Sequence, residues 1–361
     1  MSAAAQQVKP ADLAATVRAE VERTIRRGIK GVEYLSSSLP PPEGMPREVL
    51  FQRGTLKLYR YRPLTDEVYR VPLLLVMSLI NKPYIFDLAP GMSLIEHLLK
   101  SGYEVYLIDW GVPRREDKRL RIDDYALDMI PDCARRVMDD AGEDELTIVG
   151  YCMGGILSSI YAATHPNDGL KNLVCFTTPV NGEGMEMFRK WADPRHFDVD
   201  RLVDTLGNVP PDAMFRAMDM LRPTSRVFAQ IQLWDNMWND QYVQSYRIFD
   251  RWATDQIPFP GETFRQFMRD IMWKNSLVKG EMVLSGRKID LSNIKASFMH
   301  VVAEHDHIAP YEATRVLVPL VGSVDKEEVV LKGGHVSVVA GPNAVRRLWP
   351  KLDAWLGERS V

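Results

Sequence analysis

Hydrophobic positions recur with two different periods along this chain, and the change of period divides it. Between residues 10 and 35, Leu13, Val17, Val21, Ile25, Ile29 and Val32 follow one another at spacings of three and four, with Arg18, Glu22, Arg23, Arg26 and Arg27 between them. That spacing predicts a helix with an apolar stripe on one face and charge on the rest. A lone helix of this length is marginal in water, so the stripe needs a cover. Its own domain, a partner subunit or an apolar particle would each provide one. The segment "SSSLPPPEGMP", residues 36–46, breaks the period and reads as a linker.

From Glu48 the pattern becomes that of strands. "EVLFQRGTLKLYRY" predicts a hairpin turning near Gly54, and "VPLLLVMSL", "GYEVYLIDW", "ELTIVGYC" and "LKNLVCFTTP" follow as nearly continuous apolar runs. Helical patterns separate them at Ser93 to Lys100, Ile122 to Asp140 and Gly155 to His165. Runs of this kind belong to a parallel sheet covered on both faces. After Pro179 the alternation stops. The region from Val180 to about Ser292 is dense in tryptophan and methionine, among them Trp191, Trp234, Trp252, Met214 and Met268, which read first as core. Strand, helix and strand resume with "ASFMHVVAEHD" and "EEVVLKGGH", and a terminal helix follows from Pro342. The predicted fold is an α/β class sheet, mostly parallel with helices on both faces, carrying a helical cap ahead of the last two core strands. Its expected divisions are 1–38 for the helix and linker, 39–180 for the first part of the core, 181–292 for the cap and 293–361 for the rest of the core.

Composition narrows the functional classes. At 361 residues the chain can hold two domains or one with a large insertion, and 46% hydrophobic with 26% charged residues is ordinary for a globular protein. A net charge of -3 offers no broad basic field, so no nucleic-acid partner is expected. Cys133, Cys152 and Cys175 show no C-x-x-C spacing, which argues against a disulfide framework or a zinc site and for a reducing compartment. The longest apolar run, "VPLLLVMSLI" from Val71, is too short to span a bilayer. No basic segment leads into an apolar one at the start, so no secretory signal is expected and the cytoplasm is the expected location.

Candidate chemistry centres on "LTIVGYCMGGILSSIY", Leu146 to Tyr161, where an apolar strand passes through Gly-Tyr-Cys-Met-Gly-Gly directly into a helix. A sharp strand-to-helix turn exposes a nucleophile above a sheet, and Gly150, Gly154 and Gly155 keep Cβ atoms out of the bend. A helix N-terminus behind Cys152 favours thiolate over thiol. In such a layout an acid follows the penultimate core strand and a base follows the last. Asp306 ends "FMHVVAEHD" and His335 ends "VVLKGGH", so the order nucleophile, acid, base is that of the α/β-hydrolase arrangement. His335 would accept the thiol proton and Asp306 would hold the imidazole in the useful tautomer. His305 and His307 flank the acid on the wrong loop for the base, and a structural or supporting role is expected for His307. An oxyanion hole would draw on the Met153 N–H and on a second from Ile80 or Asn81 in "SLINKPYIFDL", where the lipase-type His-Gly signature is absent. Cys133 and Cys175 read as small buried hydrophobes.

The segments "GYCMGG", "INKPYIFDL", "YLIDWG", "DTLGNVPP", "GETFRQF", "DHIAP" and "GGHVSVVAGP" together resemble the catalytic subunit of the short, two-component polyhydroxyalkanoate synthases, classes III and IV. The resemblance runs from about Phe51 to Glu358, and "GYCMGG" with "HVSVVAGPNAV" leans towards class IV. It implies an α/β-hydrolase core with a cap and a triad of Cys152, Asp306 and His335 acting on (R)-3-hydroxyacyl-coenzyme A. Coenzyme A would be released as product, with no cofactor. It also implies a noncatalytic second subunit, a homodimer or hetero-oligomer, and polymer granules as the place of work. Two other readings use the same features: a thioesterase with water as acceptor, and a noncatalytic granule-binding protein.

Overall fold

A computed structural model describes residues 10–39 and 42–361, with side chains from residue 15 onward in the first helix. Pro40 and Pro41 of the expected linker, and the side chain of Leu13, lie outside the described residues.

The chain enters its sheet through a hairpin, β1 (Glu48–Arg53) and β2 (Leu56–Tyr61), which turns on Gly54 at φ 60°, a backbone state that glycine adopts without steric cost. Then come β3 (Leu73–Val76), β4 (Val105–Asp109), β5 (Leu146–Tyr151) and β6 (Leu170–Phe176). A long insertion holds a small separate hairpin, β7 (Val283–Leu284) with β8 (Arg287–Lys288), and β9 (Ser297–Ala303) and β10 (Lys326–Leu331) complete the core. The order across the eight-stranded sheet is β1-β2-β4-β3-β5-β6-β9-β10, antiparallel only at β1–β2 and β2–β4. Every residue of β3 and β5 is buried, which is why those runs carry no polar alternation. This is the α/β-hydrolase sheet that the pattern predicts, with helices around it.

The helices begin and bend where local chemistry dictates. Leu94–Lys100 is capped by Ser93, whose Oγ accepts from the Glu96 N–H at 2.9 Å. The helical stretch from Ile122 to Ala141 widens into a π turn over Tyr125–Met129, just ahead of Pro131, which has no N–H to continue a regular ladder. The helix after β5 runs Met153–Thr164 and so starts two residues earlier than the expected Gly155. Gly154 and Gly155 are poor helix formers, but the turn at Cys152 supplies the first turn regardless.

The insertion between β6 and β9 is largely helical, and contacts group the chain in a way that crosses the divisions drawn from sequence. Residues 42–221 with 252–361 form one compact unit, and the described N-terminal residues with 222–251 form another. In that smaller unit the N-terminal helix, Pro10–Ser36, packs through Arg27, Lys30, Gly31 and Tyr34. Gly31 admits the Trp234 ring, since a Cβ there would lie 3.2 Å from it. Lys30 pairs with Asp240 at 3.0 Å, Arg247 donates to Ser37 Oγ at 2.9 Å, and Arg23 sits 5.3 Å over the Trp238 ring. The predicted stripe lies on the opposite face. Val17, Val21, Ile25, Ile29 and Val32 are each more than half exposed. No described helix is long and apolar enough to cross a membrane.

Candidate active site

Strand β5 stops at Tyr151, and Cys152 then turns the chain at φ 55°, ψ -118°, before Met153 opens the helix. A non-glycine residue in that backbone state costs on the order of 1–3 kcal/mol and persists only when its surroundings hold it. The Cys152 N–H donates to the Phe176 carbonyl at 2.9 Å, and the Gly155 N–H donates back to the Cys152 carbonyl at 3.0 Å. Space is the other constraint. A Cβ on Gly150 would fall on Gly155, one on Gly154 on the Val76 carbonyl, and one on Gly155 on the Thr178 hydroxyl. The three glycines let the helix lie against β3 and β6 so closely that the elbow has one shape.

His335 and Asp306 reach this elbow from the loops after β10 and β9. The Asp306 Oδ2 accepts from His335 Nδ1 at 2.7 Å, and its Oδ1 accepts from the Ile308 and Ala309 N–H groups at 2.8 Å each. With both oxygens engaged, the carboxylate fixes the ring with its proton on Nδ1, leaving Nε2 for the sulfur. Tyr151 packs its ring 5.1 Å from the imidazole and donates to the His335 carbonyl at 3.3 Å. All three members of the expected triad are buried. Burial opposes charge on His335, but the Asp306 carboxylate and the Cys152 sulfur outweigh it and raise the imidazole pKa to about 10. The Asp306 carboxylate thus makes the ring a stronger base towards the Cys152 thiol proton. Burial pushes the Cys133 and Cys175 thiols up to about 12.

A cavity of about 180 Å³ opens on Cys152 and His335 and is walled by Met185, Phe188, Met218, Trp252 and Phe267 from the insertion. The expected oxyanion donors line it as well. Among the described residues the Met153 N–H has no acceptor in the protein, as befits the first amide of a helix. The Ile80 N–H faces Ser78 Oγ at 3.5 Å and the Ile80 carbonyl accepts from Ile257 at 3.0 Å, whereas Asn81 stands next to it on the cavity wall. Sequence reasoning missed Tyr151 and gave His307 a structural or supporting role only. His307 lines the cavity although its neighbour His305 is exposed, and Tyr151 supports the imidazole. The position of Tyr151, last in the strand before the elbow, is a signal that could have singled it out.

A family model described as alpha/beta hydrolase fold matches residues 72–342, and one described as poly-beta-hydroxybutyrate polymerase (PhaC) N-terminus matches residues 44–98. The chain is 34% identical over 335 residues to the poly(3-hydroxyalkanoate) polymerase subunit PhaC of Allochromatium vinosum, covering 91% of this chain and 94% of that one. The subunit of the same name from Haloferax mediterranei is 34% identical over 317 residues, 87% of this chain, which spans 64% of that longer protein. Among solved structures, a thermophilic esterase from Thermogutta terrifontis (TM-score 0.52, 16% identity, 88% of this chain and 100% of that one) and the Saccharomyces cerevisiae monoglyceride lipase (TM-score 0.52, 15% identity, 90% and 97%) share the fold. With a sheet of α/β-hydrolase order and sequence kinship along nearly its whole length, the chain belongs to the poly(3-hydroxyalkanoate) polymerases, an enzyme family of the α/β-hydrolase superfamily.

Proposed function

We propose that this chain polymerises (R)-3-hydroxyacyl-coenzyme A thioesters into polyhydroxyalkanoate through a covalent thioester on Cys152. The observation that carries the reading is a cysteine, not a serine, at the elbow of a polymerase-family chain, within reach of the Asp306–His335 pair. In loading, the Cys152 sulfur attacks the acyl carbonyl and His335 takes the thiol proton. The tetrahedral oxyanion is met by the Met153 N–H and by that of Asn81, since the Ile80 N–H is turned to Ser78. As the bond to coenzyme A breaks, His335 returns the proton to the departing sulfur. One thioester replaces another of nearly equal energy. A serine would form an oxyester as stable as the polymer linkage and leave no driving force for elongation.

In elongation, the 3-hydroxyl of another unit attacks the Cys152 thioester. His335 takes the hydroxyl proton with Asp306 balancing the imidazolium, the C–S bond breaks, and an ester and a free Cys152 thiol result. No cofactor enters either step. The apolar wall of the cavity serves this chemistry by limiting water, which would otherwise release the free acid. The exposed stripe of the N-terminal helix is the surface that a second, noncatalytic subunit would cover, with granules in the cytoplasm as the setting.

Purified protein incubated with 3-hydroxybutyryl-coenzyme A, with thiol release and turbidity followed together, tests the reading. Thiol release with rising turbidity is expected. Release with free acid alone would identify a thioesterase, and no release with or without added second subunit would leave the granule-binding reading.

A further inference from the structure

The Pro211–Leu221 helix borders two cavities at once. Its Phe215, Met218 and Asp219 line the cavity at Cys152, whereas Ala217, Met220 and Leu221 line a second one of about 220 Å³. With 3.6 residues per turn these two sets occupy adjoining sectors of the helix, and Met214 falls on the seam between them. It lines both cavities. Phe188 from the Glu186–Trp191 helix and Phe264 from the Gly261–Gln266 helix also line both. Three uncharged side chains thus stand between the space at Cys152 and the second space.

The second cavity has no ionisable side chain in its wall, which Trp191, Phe197 and Met268 help to complete. Such a space has nothing to hold a phosphate, a pantetheine amide or a stable water cluster. A dry apolar cavity of about 150 Å³ is enough for a ligand the size of benzene. This one is larger and opens to the surface past the exposed Trp191 and Met220, and its apolar wall suits alkyl carbon. The chemistry at Cys152 places one alkyl group close by: the substituent on C3 of the acyl unit.

Resting on the function proposed above, we propose that Met214 is a specificity-determining residue. With Phe188 and Phe264 it closes the cavity at Cys152 against the second cavity, which takes the C3 alkyl substituent when that group outgrows the first. The partition therefore sets the acyl chain length that loads.

Single-turnover loading is the test, because it precedes any growing chain and so isolates the substituent from the polymer. Acyl-enzyme formation is followed by intact mass with 3-hydroxybutyryl- and 3-hydroxyoctanoyl-coenzyme A, alongside thermal melts. Met214→Ala is expected to raise the octanoyl-to-butyryl loading ratio by about tenfold, the order that a few methylenes in an apolar pocket command. Phe264→Leu should move it in the same direction and decides the matter if Met214→Ala does not fold. Adding Ala217→Trp, which fills only the second cavity, should return the ratio to that of the unaltered chain. An unmoved ratio in both folded single variants, or a gain that survives Ala217→Trp, would overturn the partition while leaving the synthase reading intact. Failure of the unaltered chain to load either thioester would instead remove the proposed function, and the partition with it.

Discussion

Cys152→Ala takes away one sulfur but none of the glycines that shape the elbow, so the fold should survive and thiol release should vanish. Coenzyme A release together with a melt checks this, and activity above a few per cent would remove Cys152 from its role. Cys175→Ala should do the reverse, because that sulfur is fully buried against Ser159 at 3.6 Å: stability falls by about 1–2 kcal/mol while loading continues. His335→Gln and Asp306→Asn should separate the two half-reactions. Without the imidazole, loading stops. With Asp306→Asn some loading remains and elongation slows further, since a thiol with a pKa near 8.5 needs less help than a secondary alcohol. Rapid-quench acylation and steady-state polymer formation measured on both variants would show equal losses in both steps if this division were wrong. The raised imidazole pKa carries a stability signature too. Native His335 binds its proton more tightly than the unfolded ring, so its contribution is complete below pH 6.5 and is lost as the pH rises towards about 10. The difference in Tm between the unaltered chain and His335→Gln should accordingly shrink across that interval, and a difference that grew with pH would contradict the sign.

A helix shows which of its faces is apolar in its own sequence, but what lies against each face is decided by the rest of the chain. The N-terminal helix makes the point: its period was legible from Val17 to Val32, yet it packs through the polar line of Arg27, Lys30, Gly31 and Tyr34 and leaves the stripe open. Ile25→Glu with Ile29→Glu should therefore barely move the Tm, as for other surface positions within about 0.5 kcal/mol. If the proposed second subunit docks here, the pair of changes should sharply weaken its capture, read by pull-down with matched melts. Unchanged capture would reject docking on this face. Deleting residues 1–38 is a blunter tool, because it also uncovers Trp234 and breaks the Lys30–Asp240 pair. Elsewhere the elements were readable where one rule dominated. The buried runs of β3 and β5, the hairpin at Gly54 and the elbow at Cys152 each follow from local pattern, and the order of Cys152, Asp306 and His335 follows from their strands. The π turn before Pro131, the early start of the elbow helix and the entry of His307 into the cavity were not readable, since each depends on crowding or loop paths that a linear pattern does not encode.

Across the molecule, the sheet treats everything from 177 to 296 as a single connection, because β6 and β9 are direct neighbours, paired from Asn172 with Ser297 to Phe176 with Val301. Because the two strands run parallel, the insertion leaves at the C-terminal end of β6 and returns to the start of β9, so it also carries the crossover between them. Closing a loop costs entropy only as the logarithm of its length, with each doubling adding about 0.6 kcal/mol. The sheet is nearly indifferent to how much chain is placed there, provided that chain can fold. The same is not true of the elbow, where one added methyl at Gly154 or Gly155 would meet backbone or a fixed hydroxyl. Heritable variation therefore meets two very different tolerances within one protein. Descendants of this chain can lengthen, shorten or replace the walls of the cavity at Cys152 by changes within one connection of the sheet, while the turn that holds the sulfur is free to change almost nothing. Diversification of substrate range should accumulate in the insertion, and a common ancestry should be most visible at the end of β5.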